Sequence, residues 1–198
     1  MTRTKAQLVK VTRNFKWLQP AFKHLKTIID SYIDWDGEPP YWNNEAASVS
    51  LLIAAASRAR YDVALADYRR DKWVTGKDSK GRCDLYLGNA NRYLEIEAKQ
   101  FYFRANTKVK TIKKNLQRAR AASKQLWGPG ERAGLLFVVL SLSPDEAKTY
   151  DVKNFKEAIA SVKSDVLWYW YDSACDKEVF RSYEAKRYFP ALAILMRK

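Results

Sequence analysis

The sequence predicts a single α/β domain in which helices pack against a sheet. Three observations predict this class: long stretches with apolar residues three and four positions apart, two short alternating stretches separated by a turn, and a continuous apolar run at residues 133–142. The 198 residues, of which 47% are hydrophobic, are enough to bury one sizeable core. We therefore expect the order helix, three strands, helix and strand, with additions at both ends.

The first predicted helix covers residues 4–32, where apolar side chains recur at helical spacing. Pro20 removes a helical hydrogen bond, so we expect two helices or a kink there. A second helix follows a Pro-rich loop; Asn43 or Asn44 can cap it, and Glu45 lies in its first turn. The apolar positions of the first segment are Leu8, Val11, Phe15, Leu18, Phe22, Leu25, Ile29 and Tyr32.

Three strands are predicted after the second helix. Residues 63–70 either extend that helix or form a strand, and we favour the strand. Residues 83–87 and 92–99 flank a short turn, which is typical of a hairpin. The tail adds a helix near 152–162, a strand at 166–172 and a last apolar segment.

A strongly basic amphipathic helix is predicted at residues 108–126. Its apolar stripe consists of Val109, Ile112, Leu116, Ala119 and Leu126. The opposite side carries Lys110, Lys113, Lys114, Arg118, Arg120 and Lys124. The apolar run at 133–142 then predicts a strand that is covered on both faces. Aromatic residues at 127 and 168–171 either stack on bases or belong to the core, and we favour the core.

The net charge of +14 is concentrated in two segments. Residues 1–29 carry seven Lys or Arg, residues 101–130 carry eight, and neither segment contains an acid. This distribution indicates a polyanionic partner, and we favour nucleic acid over a membrane surface. No apolar run reaches the roughly 20 residues that a bilayer span needs. Cys83 and Cys175 form no disulfide framework or metal pattern, which predicts reduced thiols in a cytoplasmic protein.

Four charged residues gather around the predicted hairpin: Asp84, Glu95, Glu97 and Lys99. Alternate side chains of a strand share a face, so the last three point away from the apolar residues 94, 96 and 98. Carboxylates supply the oxygen ligands that Mg²⁺ accepts, and a lysine can orient water and stabilise charge on a phosphate. The pattern predicts either a metal-dependent phosphodiesterase or a solvated hairpin without a site.

Asp84 followed by the tripeptide 97–99 resembles the core motif of the PD-(D/E)xK nucleases, the superfamily of restriction endonucleases. The resemblance covers residues 44–141 and implies a restriction-endonuclease-like core, in which helices flank a mixed central sheet in the order α-β-β-β-α-β. Residues 1–33 would then be an N-terminal helical extension, and residues 142–198 C-terminal additions with extra strands, within one domain 1–198. The resemblance also implies a Mg²⁺-dependent DNA endonuclease, with Mn²⁺ expected to substitute.

The resemblance assigns a role to each matching residue. Asp84 and Glu97 would be metal ligands together with the backbone carbonyl of Ala98, and Lys99 would be the catalytic lysine. Glu45 matches a glutamate that many members place on the first core helix. Glu95, which shares the face of Glu97, either binds a second ion or is solvated.

The cations of the 108–126 helix would bind DNA phosphates beside the site. A homodimer is expected, because cutting two strands usually needs two sites. The alternative function is a non-catalytic nucleic-acid-binding protein built on the same fold. A second Glu-Ala-Lys tripeptide at 184–186 lacks a preceding Gly-Arg-x-Asp, so we interpret it as a charged segment before the last strand.

Overall fold

A mixed sheet runs through the computed structural model, which describes residues 4–74, 77–90, 92–172, 180–182 and 184–198. Its strands in the described chain are β1 (Thr4–Val11), β2 (Val63–Val74), β3 (Lys77–Asn89), β4 (Arg92–Phe103), β5 (Glu131–Leu142), β6 (Val166–Asp172), β7 (Arg181–Ser182) and β8 (Arg187–Arg197). The order across the sheet is β1-β6-β8-β5-β4-β3-β2, and β7 pairs with β8. The β4–β5 pair is parallel, and the other pairs are antiparallel.

Helices cover both faces of this sheet. They are α1 (Gln19–Asp36), α2 (Glu45–Arg58), α3 (Val109–Ser123) and α4 (Val152–Ala160) within the described residues. Helices α1 and α2 share one apolar core with Leu94, Ile96 and Ala98 of β4. Helices α3 and α4 share a second core that includes Leu136 and Val138 of β5. The apolar side of β4 therefore faces α1 and α2, as its alternating sequence predicts.

The predicted order of helix, three strands, helix and strand is confirmed. Elements α2, β2, β3, β4, α3 and β5 follow one another between residues 45 and 142. Strands β4 and β5 are parallel because α3 carries the chain back across the sheet between them. The predicted C-terminal strands are also present, and they enlarge the same sheet, since β8 pairs with β5.

The prediction of a helix at residues 4–32 is wrong for its first part. Thr4–Val11 is a strand, β1, which pairs antiparallel with β6 from the far end of the chain. Thr4, Ala6 and Leu8 are each less exposed than the residue that follows them, so a period of two was also present in this segment. Pairing with a distant strand selected that period over the helical one, and the N-terminal extension is therefore not wholly helical.

The predicted interruption at Pro20 is confirmed. A 3₁₀ helix at Arg13–Leu18 precedes α1, and Pro20 lies in the first turn of α1, where its missing N–H costs nothing. Tyr32, the last apolar position of the predicted first helix, is 38% exposed. None of the helices in the described ranges combines the length and the apolar character that crossing a bilayer requires.

The aromatic residues of β6 belong to the core, as predicted. Trp168, Tyr169 and Trp170 are buried, whereas Trp127, after α3, is 61% exposed. Cys83 is a buried free thiol whose pKa is raised by burial, and Cys175 lies outside the described residues.

Candidate active site

The candidate site lies where β3 and β4 stop pairing. Their register runs from Asn89 opposite Arg92 to Leu85 opposite Ile96, and Asp84 is the next residue of β3. The Asp84 carboxylate accepts a hydrogen bond of 2.7 Å from the backbone N–H of Ala98. The Asp84 side chain thus accepts the bond that the Ala98 N–H would otherwise donate to the backbone of β3, and this places the acid beside residues 97–99.

The Lys99 ammonium is surrounded by oxygen atoms. Its Nζ atom lies 2.5 Å from the Ala98 carbonyl oxygen, 3.6 Å from Glu45 Oε1 and 3.9 Å from Asp84 Oδ2. Glu45, Asp84 and Lys99 are all partly accessible to solvent. The protein therefore assembles three acceptor oxygens from α2, β3 and β4 around one positive charge.

The N-terminus of α2 holds Glu45 in this position. Asn44 caps the helix by accepting a hydrogen bond of 2.9 Å from the Ala47 N–H, as the sequence predicts. The second oxygen of Glu45 accepts from the backbone N–H of Gln100 at 3.1 Å. One turn further along α2, the Ser48 hydroxyl donates to the Gln100 side chain at 2.7 Å. Gln100 therefore fastens the start of α2 to β4.

Glu97 is buried and paired with a lysine from another strand. Its side chain is only 4% exposed, and its Oε1 lies 2.8 Å from Nζ of Lys72. Lys72 belongs to β2, and it reaches Glu97 by crossing β3 above Gly81. A Cβ atom at Gly81 would lie 2.7 Å from Cδ of Lys72, so the path depends on glycine at this position.

The acids of the site share one electrostatic environment. Burial raises the pKa of Glu97, and the negative charge of Asp84 raises it further, while the hydrogen bond and charge of Lys72 act in the opposite direction. Burial also raises the pKa of Glu45; the charge of Lys99 opposes this shift, and Asp84 adds to it. Asp84 therefore interacts with both glutamates, and each glutamate has its own lysine.

Glu95 is buried among side chains of neighbouring strands. It is only 1% exposed, so the solvated alternative is wrong. Its carboxylate lies 2.7 Å from Nε of Arg70 and 3.6 Å from Nε of Arg132, and it accepts a 3.1 Å hydrogen bond from the Tyr68 hydroxyl. Tyr68 and Arg70 engage one oxygen and Arg132 lies near the other, so we expect these groups, and not a metal ion, to hold Glu95.

Most cations of α3 face solvent. Lys110, Lys113, Lys114, Arg118 and Lys124 are exposed. Arg120 is the exception, since its Nε donates a 2.7 Å hydrogen bond to the Lys198 carbonyl. The helix backbone lies directly against β5 at Gly134, where a Cβ atom would meet the Arg120 nitrogen at 2.1 Å. This close packing fixes the basic side of α3 relative to the sheet.

Sequence reasoning missed the groups that neutralise the two buried glutamates. Tyr68, Arg70 and Lys72 occupy alternate positions of β2, so period-two spacing was the signal that could have placed them on one face. No local pattern indicates that side chains of this face reach across β3 to β4. Gln100, directly after the tripeptide, was also missed as the residue that fastens α2.

No three side chains among Asp, Glu, His and Cys of the described residues form a group that could hold a metal ion. No protein-family model matches the chain, and searches of curated proteins and of solved structures found no significant match.

Proposed function

We propose that this chain is a Mg²⁺-dependent endonuclease that hydrolyses DNA phosphodiester bonds on a restriction-endonuclease-like core. The observation that carries the proposal is the position of the Lys99 ammonium among oxygens of Asp84, Ala98 and Glu45. These are the groups that the nuclease motif uses, and they meet where β3 and β4 separate. The order of α2, β2, β3, β4, α3 and β5 supports the proposed fold.

The donor set is suited to a hard divalent cation. Carboxylate and carbonyl oxygens are the ligands that Mg²⁺ and Mn²⁺ accept in proteins. Asp84, Glu97 and the Ala98 carbonyl would hold the ion. Before an ion could bind, Lys72 would have to move away from Glu97, and Lys99 would have to release the Ala98 carbonyl. The two lysines therefore stabilise the arrangement without metal. Bound Mg²⁺ supplies Lewis-acid chemistry that activates water and neutralises charge on the phosphate.

The remaining residues position the reactants. Lys99 orients the attacking water and stabilises the negative charge of the pentacoordinate phosphorus species. Glu45 fixes the Lys99 ammonium, and its own hydrogen bond to Gln100 fixes Glu45. The exposed cations of α3 bind backbone phosphates, which makes affinity salt-dependent. Two copies of the chain would be needed to cut both strands of a duplex in one binding event.

A nucleic-acid-binding protein that does not cut is the second candidate. One observation favours it: Lys72 pairs closely with the buried Glu97, so this acid is already neutralised by the protein. In that case the basic surface alone would carry the function. The two candidates differ in one measurable property, which is metal-dependent cleavage.

The test is cleavage of supercoiled plasmid DNA in Mg²⁺ by the wild type, Asp84→Ala and Lys99→Ala. We expect the wild type to nick or linearise the plasmid and both variants to lose cleavage while they retain DNA binding in EDTA. The matched control is Lys186→Ala in the second Glu-Ala-Lys tripeptide, whose lysine is exposed in a turn before β8. No cleavage by the wild type, with DNA binding intact, would overturn the enzyme proposal in favour of the binding protein.

A further inference from the structure

Two exposed tryptophans lie on paired antiparallel segments at the edge of the sheet. Trp73, near the end of β2, is 51% exposed, and Trp127, just after α3, is 61% exposed. The Trp73 N–H donates to the Gln125 carbonyl at 2.7 Å, and the Trp127 N–H donates to the Asp71 carbonyl at 3.0 Å. Residues 125–127 therefore run antiparallel to residues 71–73, with Lys72 opposite Leu126. We call Trp73 and Trp127 the tryptophan pair.

The pairing directs both indoles to the same outer side. In an antiparallel pair, alternate residues share a face. Lys72 points inward to Glu97, and its partner Leu126 is buried. The neighbours on either side, including both tryptophans, therefore point outward. Trp73 and Trp127 are diagonal neighbours, which places their backbones about 7–8 Å apart.

Exposed cations surround the tryptophan pair, and acids lie among them. Arg69 on β2 and its register partner Arg82 on β3 share the outer side with Trp73 and are exposed, and Lys80 on the same side is exposed too. Asp71 lies opposite Lys80 in the register, and Asp67 forms an ion pair of 2.7 Å with Arg82. Exposed Lys124 lies at the end of α3, close to Trp127 in sequence. Aromatic rings beside exposed cations suit a polyanion with exposed aromatic faces, which describes unpaired nucleotides.

We propose that the tryptophan pair is a stacking surface for unpaired nucleobases, so that the nucleic acid bound by this chain includes a single-stranded segment. The inference rests on the proposed function, which supplies the nucleic-acid partner. It adds the class of substrate, namely nucleic acid with an unpaired segment, such as flaps, branched ends or single strands. Lys72, which lies between Asp71 and Trp73, contacts Glu97. The stacking surface and the candidate active site therefore lie on opposite sides of the same stretch of β2.

The first test compares two labelled strands of equal length on the wild-type protein in EDTA. One is an oligothymidylate, and the other is an abasic strand with the same phosphates and no bases. Stacking predicts that the oligothymidylate binds about 5- to 100-fold more tightly by fluorescence anisotropy. Equal affinities would overturn the proposal, because phosphate contacts alone would then account for binding. This comparison needs no variant, so it holds even where a substitution affects folding.

The second test locates the bases on the protein. Trp73→Ala and Trp127→Ala should each weaken oligothymidylate binding about 5- to 100-fold, whereas affinity for the abasic strand and for blunt duplex changes little. Phenylalanine at either position should restore most of the affinity, because it retains an aromatic face. The matched control is Trp35→Ala at the end of α1, where the side chain is 81% exposed but outside this surface.

Four outcomes distinguish this inference from its rivals. Wild-type affinity in both alanine variants would overturn it, as would a wild-type dimer that these variants convert to monomers, since a second copy would then cover the tryptophans. Failure of plasmid cleavage with the stacking results intact would reject the endonuclease alone. The opposite result is also possible: the double variant of both tryptophans cleaves duplex DNA as the wild type does, and abasic and natural strands bind equally. This result would reject the stacking surface alone.

Discussion

Lys72 on β2 and Glu97 on β4 form an ion pair of 2.8 Å, although β3 lies between their strands. The lysine side chain crosses β3 at Gly81, the residue that offers no side chain to block it. Glu97 is almost fully buried, so a carboxylate without a partner would be costly at this position. The pair explains how the protein retains an ionisable acid beside Asp84.

The Lys72→Met variant should be destabilised in a pH-dependent way. Lys72 lowers the pKa of Glu97 against the effect of burial, so the variant raises that pKa further. Above this pKa the variant loses about 1–3 kcal/mol of unfolding free energy, because a charged hydrogen bond is missing. At acidic pH the glutamate is protonated in both proteins, and the difference shrinks.

Urea denaturation at acidic and alkaline pH measures this difference. The control is Lys153→Met, which removes an exposed pair with Glu157 and should have no measurable effect at either pH. An equal loss of stability at both pH values would show that Lys72 acts through packing of its aliphatic chain and not through the charge of Glu97.

The Gly81→Val variant should reproduce the effect of removing Lys72. A Cβ atom at this position would collide with Cγ, Cδ and Cε of the lysine and push the ammonium away from Glu97. In a double-mutant cycle with Lys72→Met, the two losses of unfolding free energy should therefore be less than additive. Additive losses would mean that Gly81 matters for some reason other than the lysine path.

The Glu95→Gln variant should lose stability and keep its chemistry. Two arginines would face a neutral amide in place of a buried carboxylate, which costs about 3 kcal/mol in comparable pairs. Metal-dependent cleavage should persist below the melting temperature, because Glu95 is not a ligand in this account. The control is Glu131→Gln, since Glu131 pairs with Arg92 at the surface. Unchanged stability with lost cleavage would return Glu95 to the metal site.

The cleavage rate should decline as the pH is lowered, and the decline should begin at a pH above the pKa range of ordinary glutamates. Glu45 and Glu97 have pKa values raised from 4.5 by burial, and metal ions bind the ionised form. As the pH falls, these groups take up protons earlier than exposed glutamates do, and metal affinity declines. Initial rates measured against pH at several Mg²⁺ concentrations should show the acid limb moving to lower pH as Mg²⁺ rises. If the position of the acid limb does not change with Mg²⁺ concentration, protonation of metal-binding glutamates is not its cause.

The sequence predicted the parts of the site that depend on local patterns. Period-two alternation placed residues 97 and 99 on a strand, and a short turn brought Asp84 of the preceding strand toward them. Helical spacing and an asparagine cap placed Glu45 at the start of α2. These features are each set by a few consecutive residues, so they are readable without the fold.

The features that sequence reasoning missed depend on distant parts of the chain. Residues 4–11 form a strand because β6 supplies a partner, and their own spacing does not select one structure. Glu95 is buried because Arg132 arrives from β5 and Arg70 reaches over from β2. The Lys72–Glu97 contact requires the end of β2 to curl over β3, and no local pattern encodes that curvature.

The central claim is that Asp84 and Glu97 together bind a divalent cation. The most direct measurement is a crystal structure after a Mn²⁺ soak, with anomalous difference density to locate the ion. We expect a peak between the two carboxylates, with the Lys72 ammonium displaced from Glu97. A saturating soak that leaves Lys72 on Glu97 and shows no peak there would contradict it.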